Sequence, residues 1–127
     1  MDKIRVLLAN HPMMIPDAIR ELLADQDDME VVADVRGPMK VLQETGRVNA
    51  DAVILTQDGA EDLALCSQLF AVYPDLTIIT VTTDLTAAMT QQLRACRQNV
   101  YVNEPGDVVR AMRMAVRQPY IEKLAWE

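Results

Sequence analysis

Apolar positions along the chain alternate between two patterns. Ile4-Arg5-Val6-Leu7-Leu8-Ala9 is a short branched run that predicts a buried strand. Ile15, Ala18, Ile19, Leu22 and Leu23 then repeat at helical spacing. Pro16 suits the first turn of that helix, where its missing N–H costs nothing. Met29 to Ala33 predicts a second strand, Gly37-Pro38 a break, and Met39 to Thr45 a short second helix. Ala52-Val53-Ile54-Leu55 predicts a third strand. Leu65, Leu69, Phe70 and Val72 mark a third helix that Pro74 stops. Leu76 to Val81, rich in Ile, Val and Thr, predicts a fourth strand. Leu85, Met89, Leu93 and Cys96 line an expected fourth helix, Val100-Tyr101-Val102 a fifth strand, and Pro105 to Arg117 a fifth helix. Five strands alternating with five helices imply a parallel sheet covered on both faces, because each crossover lays a helix over the sheet.

Composition narrows the picture. The 127 residues fit one domain, expected over residues 1–118, with a tail over 119–127. Half the residues are hydrophobic but only 4% are aromatic, so the core is expected to be aliphatic and filled by some of the eight Met. Twelve basic against nineteen acidic residues give a net charge of −7. That balance argues against nonspecific nucleic-acid binding and against docking on an anionic membrane. No apolar run approaches membrane-spanning length and no leader pattern is present, so a cytoplasmic setting is expected, with Cys66 and Cys96 as reduced, partly buried thiols. One His and two Cys make a zinc site improbable, and no Gly-rich phosphate loop opens, which excludes a kinase-like role. No cofactor is expected.

In an open parallel sheet, chemistry gathers beyond the carboxyl ends of the strands. The residues there are Asn10 and His11 after strand one, and Thr56, Gln57 and Asp58 after strand three. Thr82 and Thr83 follow strand four, and Asn103 and Glu104 follow strand five.

At these residues the chain resembles the receiver domain of bacterial response regulators, most nearly that of LuxR-type regulators, over its whole length to about residue 117. The resemblance rests on Ile4 to Leu8, Met29 to Asp34, Asp51 to Leu55, Pro74 to Ile79, and Tyr101-Val102-Asn103-Glu104-Pro105. It implies a flavodoxin-like, doubly wound, five-stranded parallel sheet of order 2-1-3-4-5 with five helices. It also implies a phosphorylation site, and there the residues depart from the family. The family's magnesium-binding acidic pair corresponds to Asn10 and His11, or in a register one residue earlier to Ala9 and Asn10; neither supplies a carboxylate. The phosphoacceptor aspartate is Thr56, and the lysine before the strand-five proline is Glu104. Thr82 and Tyr101 match the switch Ser/Thr and the switch aromatic.

Magnesium wants oxygen ligands and usually takes one or two carboxylates. Phosphoryl transfer needs an ionised acceptor, a metal and a cationic clamp. A Thr hydroxyl is a weak nucleophile without a base, and no third group orients His11 toward Thr56. The reading is a degenerate site on an intact scaffold, not an enzyme, with Asn10 and Glu104 placed to bridge the crevice by hydrogen bonding. Function then falls to contact with a protein partner or to self-association as a homodimer. The resemblance places that contact on the surface of helix four, strand five and helix five, through Arg94, Tyr101, Arg110, Arg113 and Arg117. The tail, with Tyr120, Ile121, Leu124 and Trp126, is a second surface that folds on its own domain or meets a partner. Two alternatives stay open: a phosphoacceptor receiver using Asp58, and a small-molecule sensor at the neutral crevice.

Overall fold

The computed structural model describes residues 3–57, 63–92 and 98–117. Its elements are β1 (Ile4–Asn10), α1 (Asp17–Ala24), β2 (Met29–Arg36), α2 (Pro38–Arg47), β3 (Ala52–Gln57), α3 (Leu63–Val72), β4 (Thr77–Thr82), β5 (Ala87–Gln92), β6 (Gln98–Tyr101) and α4 (Pro105–Arg117). The strands form one sheet in the order β2-β1-β3-β4-β5-β6. β2, β1, β3 and β4 pair in parallel, whereas β5 is antiparallel to both β4 and β6. The protein is therefore α/β with a mixed sheet of six strands and, among the described residues, four helices. No helix among these residues is long and apolar enough to cross a membrane.

The strand period of two explains the two core layers. Ile4, Val6 and Leu8 of β1 join Ile54, Ile79 and Val81 beneath α1 and α4, where Ile19, Leu23, Val108 and Met112 close the layer. Leu7, Ala9, Val53, Leu55 and Ile78 point the other way, onto Val41 of α2 and Leu65, Cys66 and Leu69 of α3. Gly46 lets the second layer close: a Cβ there would clash with the Tyr73 ring, whose hydroxyl donates to Leu42 O at 2.9 Å.

The expected helix through Leu85 and Met89 is corrected. Its described part is a turn followed by strand β5, which pairs Met89 with Thr80 and Gln91 with Ile78. The cause lies in the turn. Thr82 Oγ1 accepts from the amides of Thr86 and Ala87 at 3.1 Å each, and Asp84 Oδ1 accepts from the Thr86 amide at 3.1 Å and its hydroxyl at 2.7 Å. Leu85 completes the reversal in the left-handed region at φ 58°. A parallel crossover needs a dozen or more residues, so a chain reversing this soon returns antiparallel. The sheet is consequently not all-parallel. β6 holds the expected fifth strand but reaches β4 only through β5. Leu93, Arg94, Cys96, Asp58 and the tail lie outside the described residues.

Candidate functional site: a crevice closed by its own side chains

The carboxyl ends of β1, β2, β3 and β4 bring Asn10, Arg36, Gln57 and Thr82 to one end of the sheet. β6 runs in the same direction as β4, so Glu104 at the head of α4 lies at that end too.

Asn10 closes β1 and is buried. Its amide nitrogen donates to Asp34 Oδ1 at 2.5 Å and to Val35 O at 3.1 Å, and its Oδ1 accepts from the Ile15 amide at 2.8 Å and from Arg20 at 2.6 Å. An Asn side chain offers two donors and two acceptor lone pairs, so its capacity is filled. The expected bridge to Glu104 is therefore corrected: Asn10 spends its bonds on β2, α1 and the β1–α1 loop.

Arg20, one turn into α1, holds this network together. It donates to Asp34 Oδ2 at 2.9 Å and Asp34 Oδ1 at 3.1 Å, and also to the carbonyl of Ile15. The Arg20 hydrogen bonds hold the Asp34 carboxyl below its usual range; partial burial opposes them, and the Asn10 amide adds to them. The guanidinium is raised in turn by the same Asp34 bond. The sequence reading missed Arg20 and Asp34. Their signal was a charge beside the apolar stripe of α1 and an acid closing the apolar run Met29 to Ala33.

Thr56 is buried at the end of β3. Its hydroxyl donates to Met13 O at 3.0 Å and accepts from the Met13 amide at 2.9 Å. The β1–α1 loop is thereby latched across the β3 end. The His11 amide donates to Ala9 O at 2.9 Å, which turns the chain out of β1. Thr82, expected as a switch residue, builds the β4–β5 turn and also donates to Ala87 O at 3.3 Å. Glu104 caps α4: its amide and that of Asn103 donate to the Asp107 carboxylate at 3.2 and 2.8 Å, half of a capping box. The structure thus brings Asn10 together with Arg20 and Asp34, and Thr56 with Met13. It assigns Thr82 and Glu104 to separate local turns.

The expected interaction residues divide. Tyr101 stands 81% exposed on the outermost strand β6. Arg110 pairs with Asp107 within α4. Arg113 grips Asp28 through two bonds of 2.6 and 3.1 Å and Gln26 at 2.6 Å, and Arg117 reaches Asp28 at 3.0 Å. Those two arginines fasten α4 to the α1–β2 loop, and the Arg113 bonds hold the Asp28 carboxyl below its usual range. The helix-four portion of the expected surface is replaced, where described, by β5. Arg94 and Asp58 lie outside the described residues. Among the described residues, no three His, Cys, Asp or Glu side chains cluster as a metal site would require.

No model of a known protein family matches this chain, and no curated protein does.

Proposed function

We propose that this chain is a receiver-like domain of bacterial two-component-type signalling, cytoplasmic and not an enzyme, which works by phosphorylation-independent contact with a protein partner or a second copy. The scaffold part of the reading draws on the order β2-β1-β3-β4 with helices on both faces. β6 would then be the fifth receiver strand and β5 a departure from the flavodoxin-like plan.

One observation carries the functional part: the Thr56 hydroxyl is spent in both directions on the Met13 backbone. The residue standing where a phosphoacceptor would be expected is thus a buried structural fastener. The neighbouring Asn10 is saturated by Arg20, Asp34, Ile15 and Val35. A phosphoryl group entering here would have to break the Met13 latch and would meet an amide where magnesium wants carboxylates.

The test is amide NMR with magnesium and beryllofluoride, a phosphoryl mimic. Resonances of Asn10, Met13, Thr56 and Thr82 are expected to stay unmoved. Shifts at these positions would overturn the closed-site reading. Acid-labile phosphate on Asp58 after acetyl-phosphate treatment would establish the phosphoacceptor alternative.

For the contact surface, Tyr101 and Arg110 are the informative positions, because Arg113 and Arg117 also hold α4 in place. Tyr101→Ala with Arg110→Glu is expected to lower partner capture, or the dimer fraction, at least several-fold without changing helix content. Unchanged capture and oligomeric state would remove the β6–α4 surface from the reading.

A further inference from the structure

Three exposed methionines gather at the carboxyl end of β1 and β2. Met13 and Met14 stand out in the β1–α1 loop, and Met39 stands out in the first turn of α2, three residues past the end of β2. Arg36 links them: it closes β2 and donates to the Met14 sulfur at 2.8 Å. Each other described arginine pairs with a carboxylate. Arg36 and the exposed Lys40 pair with none among the described residues. The result is a knob of thioethers carrying two cations, on a chain of net charge −7. Apolar side chains exposed together and rimmed by charge mark a contact site. Met suits one, because its unbranched side chain adapts to the surface it meets.

A complementary surface lies on the same chain. Between α1 and β2 is a cleft of about 360 Å³. Leu23 and Met29 form its buried floor, and Ala24 and Val31 its exposed rim. The charge beside it is negative. Glu21 lies one helical turn before Ala24, and Asp27 lies two residues before Met29. Both are exposed, and neither pairs with a cation among the described residues. The Arg20–Asp34 pair closes the end nearer the knob and is internally satisfied. The cleft is therefore an aliphatic trough flanked by acids, and the knob is apolar and flanked by cations. The two cannot meet within one molecule. Val31 and Arg36 stand on the same strand, roughly 16 Å apart at ~3.3 Å per residue, with the Arg20–Asp34 pair between them.

We propose that the knob of Met13, Met14 and Met39 on one molecule docks in the α1–β2 cleft of a second copy. Apolar burial drives the contact, and Arg36 and Lys40 meeting Glu21 and Asp27 across it set its polarity. Each copy in such a pair keeps one unused knob or one unused cleft. The contact is thus head to tail, and assembly continues past the dimer into a ring or a filament. It uses neither Tyr101 nor Arg110, so it is separate from the β6–α4 surface.

Sedimentation velocity of the full chain over a range of concentrations tests this. The mass of the unmodified chain is expected to climb with concentration beyond that of a dimer. One variant, Met39→Glu with Lys40→Glu, removes the knob; a second, Ala24→Arg, blocks the cleft. Both suit their helices, since acids favour a first turn and bases a last turn, so circular dichroism should not change. Should the first variant perturb α2, Met14→Glu in the loop takes its place. Each variant alone is expected to stay monomeric where the unmodified chain assembles. Mixed in equal amounts, the two should form a dimer and nothing larger, because one supplies only a cleft and the other only a knob. An unmodified chain that is monomeric throughout would overturn the proposal, as would a plateau at the dimer. Assembly that persists in either folded variant, or a mixture that fails to pair, would overturn it too. Loss of assembly in Tyr101→Ala with Arg110→Glu would assign the contact to the β6–α4 surface and overturn it equally.

Discussion

The parallel half of the sheet, β2-β1-β3-β4, and the antiparallel half, β5-β6, are built by different rules. β1, β3 and β4 are sandwiched between α1 and α4 on one face and α2 and α3 on the other, and each is almost continuously buried; β1 and β3 are mostly aliphatic, and β4 alternates Ile and Val with Thr77, Thr80 and Thr82. β5 reads Ala-Ala-Met-Thr-Gln-Gln, and its buried Thr90 and Gln91 are polar. Among the described residues, β5, β6 and the segments beside them add Leu85, Ala88, Val100 and Val102 to the α1–α4 core, and nothing to the α2–α3 core. In their place Gln92 donates to Thr77 Oγ1 at 2.9 Å and to the Ala115 carbonyl of α4 at 2.7 Å, and Gln91 approaches Cys66 Sγ at 4.0 Å. The first half is held by apolar burial and the second by specific hydrogen bonds. The closed crevice belongs to the first half, so its geometry is backed by the most deeply buried strands of the chain.

The largest expected effect tests that contrast directly. Ile54→Ala, in a fully buried site between two layers, is expected to cost about 3–4 kcal/mol in chemical denaturation, the cost of a core cavity. Val100→Ala, at a partly buried position of β6, is expected to cost ~1 kcal/mol. Equal losses would erase the distinction between the halves. Next comes Arg20→Met, which leaves Asp34 without its cation and the Asn10 carbonyl with one donor fewer. Because Asp34 is partly solvated, a loss of about 1–2 kcal/mol is expected by the same measurement. Arg20→Lys should restore only part of it, since an ammonium cannot reproduce the guanidinium fork.

Gln92→Leu removes two side-chain bonds and is expected to cost ~1 kcal/mol. The informative readout is amide hydrogen exchange. Protection should fall several-fold across β5 and β6 and remain unchanged in β1 and β3, since sheet regions open as separate units. Uniform loss would mean that the sheet opens as one body.

The smallest effect is in the acid limb. Asp28 and Asp34 are lowered first by hydrogen bonds from Arg113 and Arg20 respectively. A carboxyl depressed in the folded state contributes fully above its unfolded value, ~3.9, and loses that contribution as pH falls through the folded-state value. Denaturation midpoints should therefore be level from neutral pH down to about 3.9 and decline between there and the lowered folded-state values. Asp28→Asn and Asp34→Asn should each flatten the decline, with the chain already less stable at neutral pH.

The legibility of the chain follows the same division. Pro105 to Arg117 is both the expected helix and α4, because Pro at the first position and a repeating apolar face act locally. Ala52 to Leu55 could hardly avoid being a buried strand. Leu85 and Met89 have helical spacing, yet the segment is a turn and a strand, because hydrogen bonds from the Thr86 and Ala87 amides to Thr82 and Asp84 reverse the chain before a helix can begin. At the crevice, Asn10 and Thr56 were legible as positions that lack carboxylates. Their partners were not: Arg20 lies ten residues from Asn10, Asp34 twenty-four, and Met13 forty-three from Thr56.

By itself, the order of residues determined the buried parallel strands, the amphipathic helices, the aromatic-poor composition and the neutral chemistry at the ends of β1 and β3. These depend on what a segment must hide from water, and local periodicity encodes that. Only the tertiary structure decided that Asn10 would be saturated by α1 and β2, that Thr56 would latch Met13, and that Arg113 and Arg117 would fasten α4. It alone decided that a polar six-residue segment would join the sheet antiparallel. Each of these is a choice of hydrogen-bond partner, and a polar group carries no local mark of which distant donor or acceptor the folded chain will bring to it.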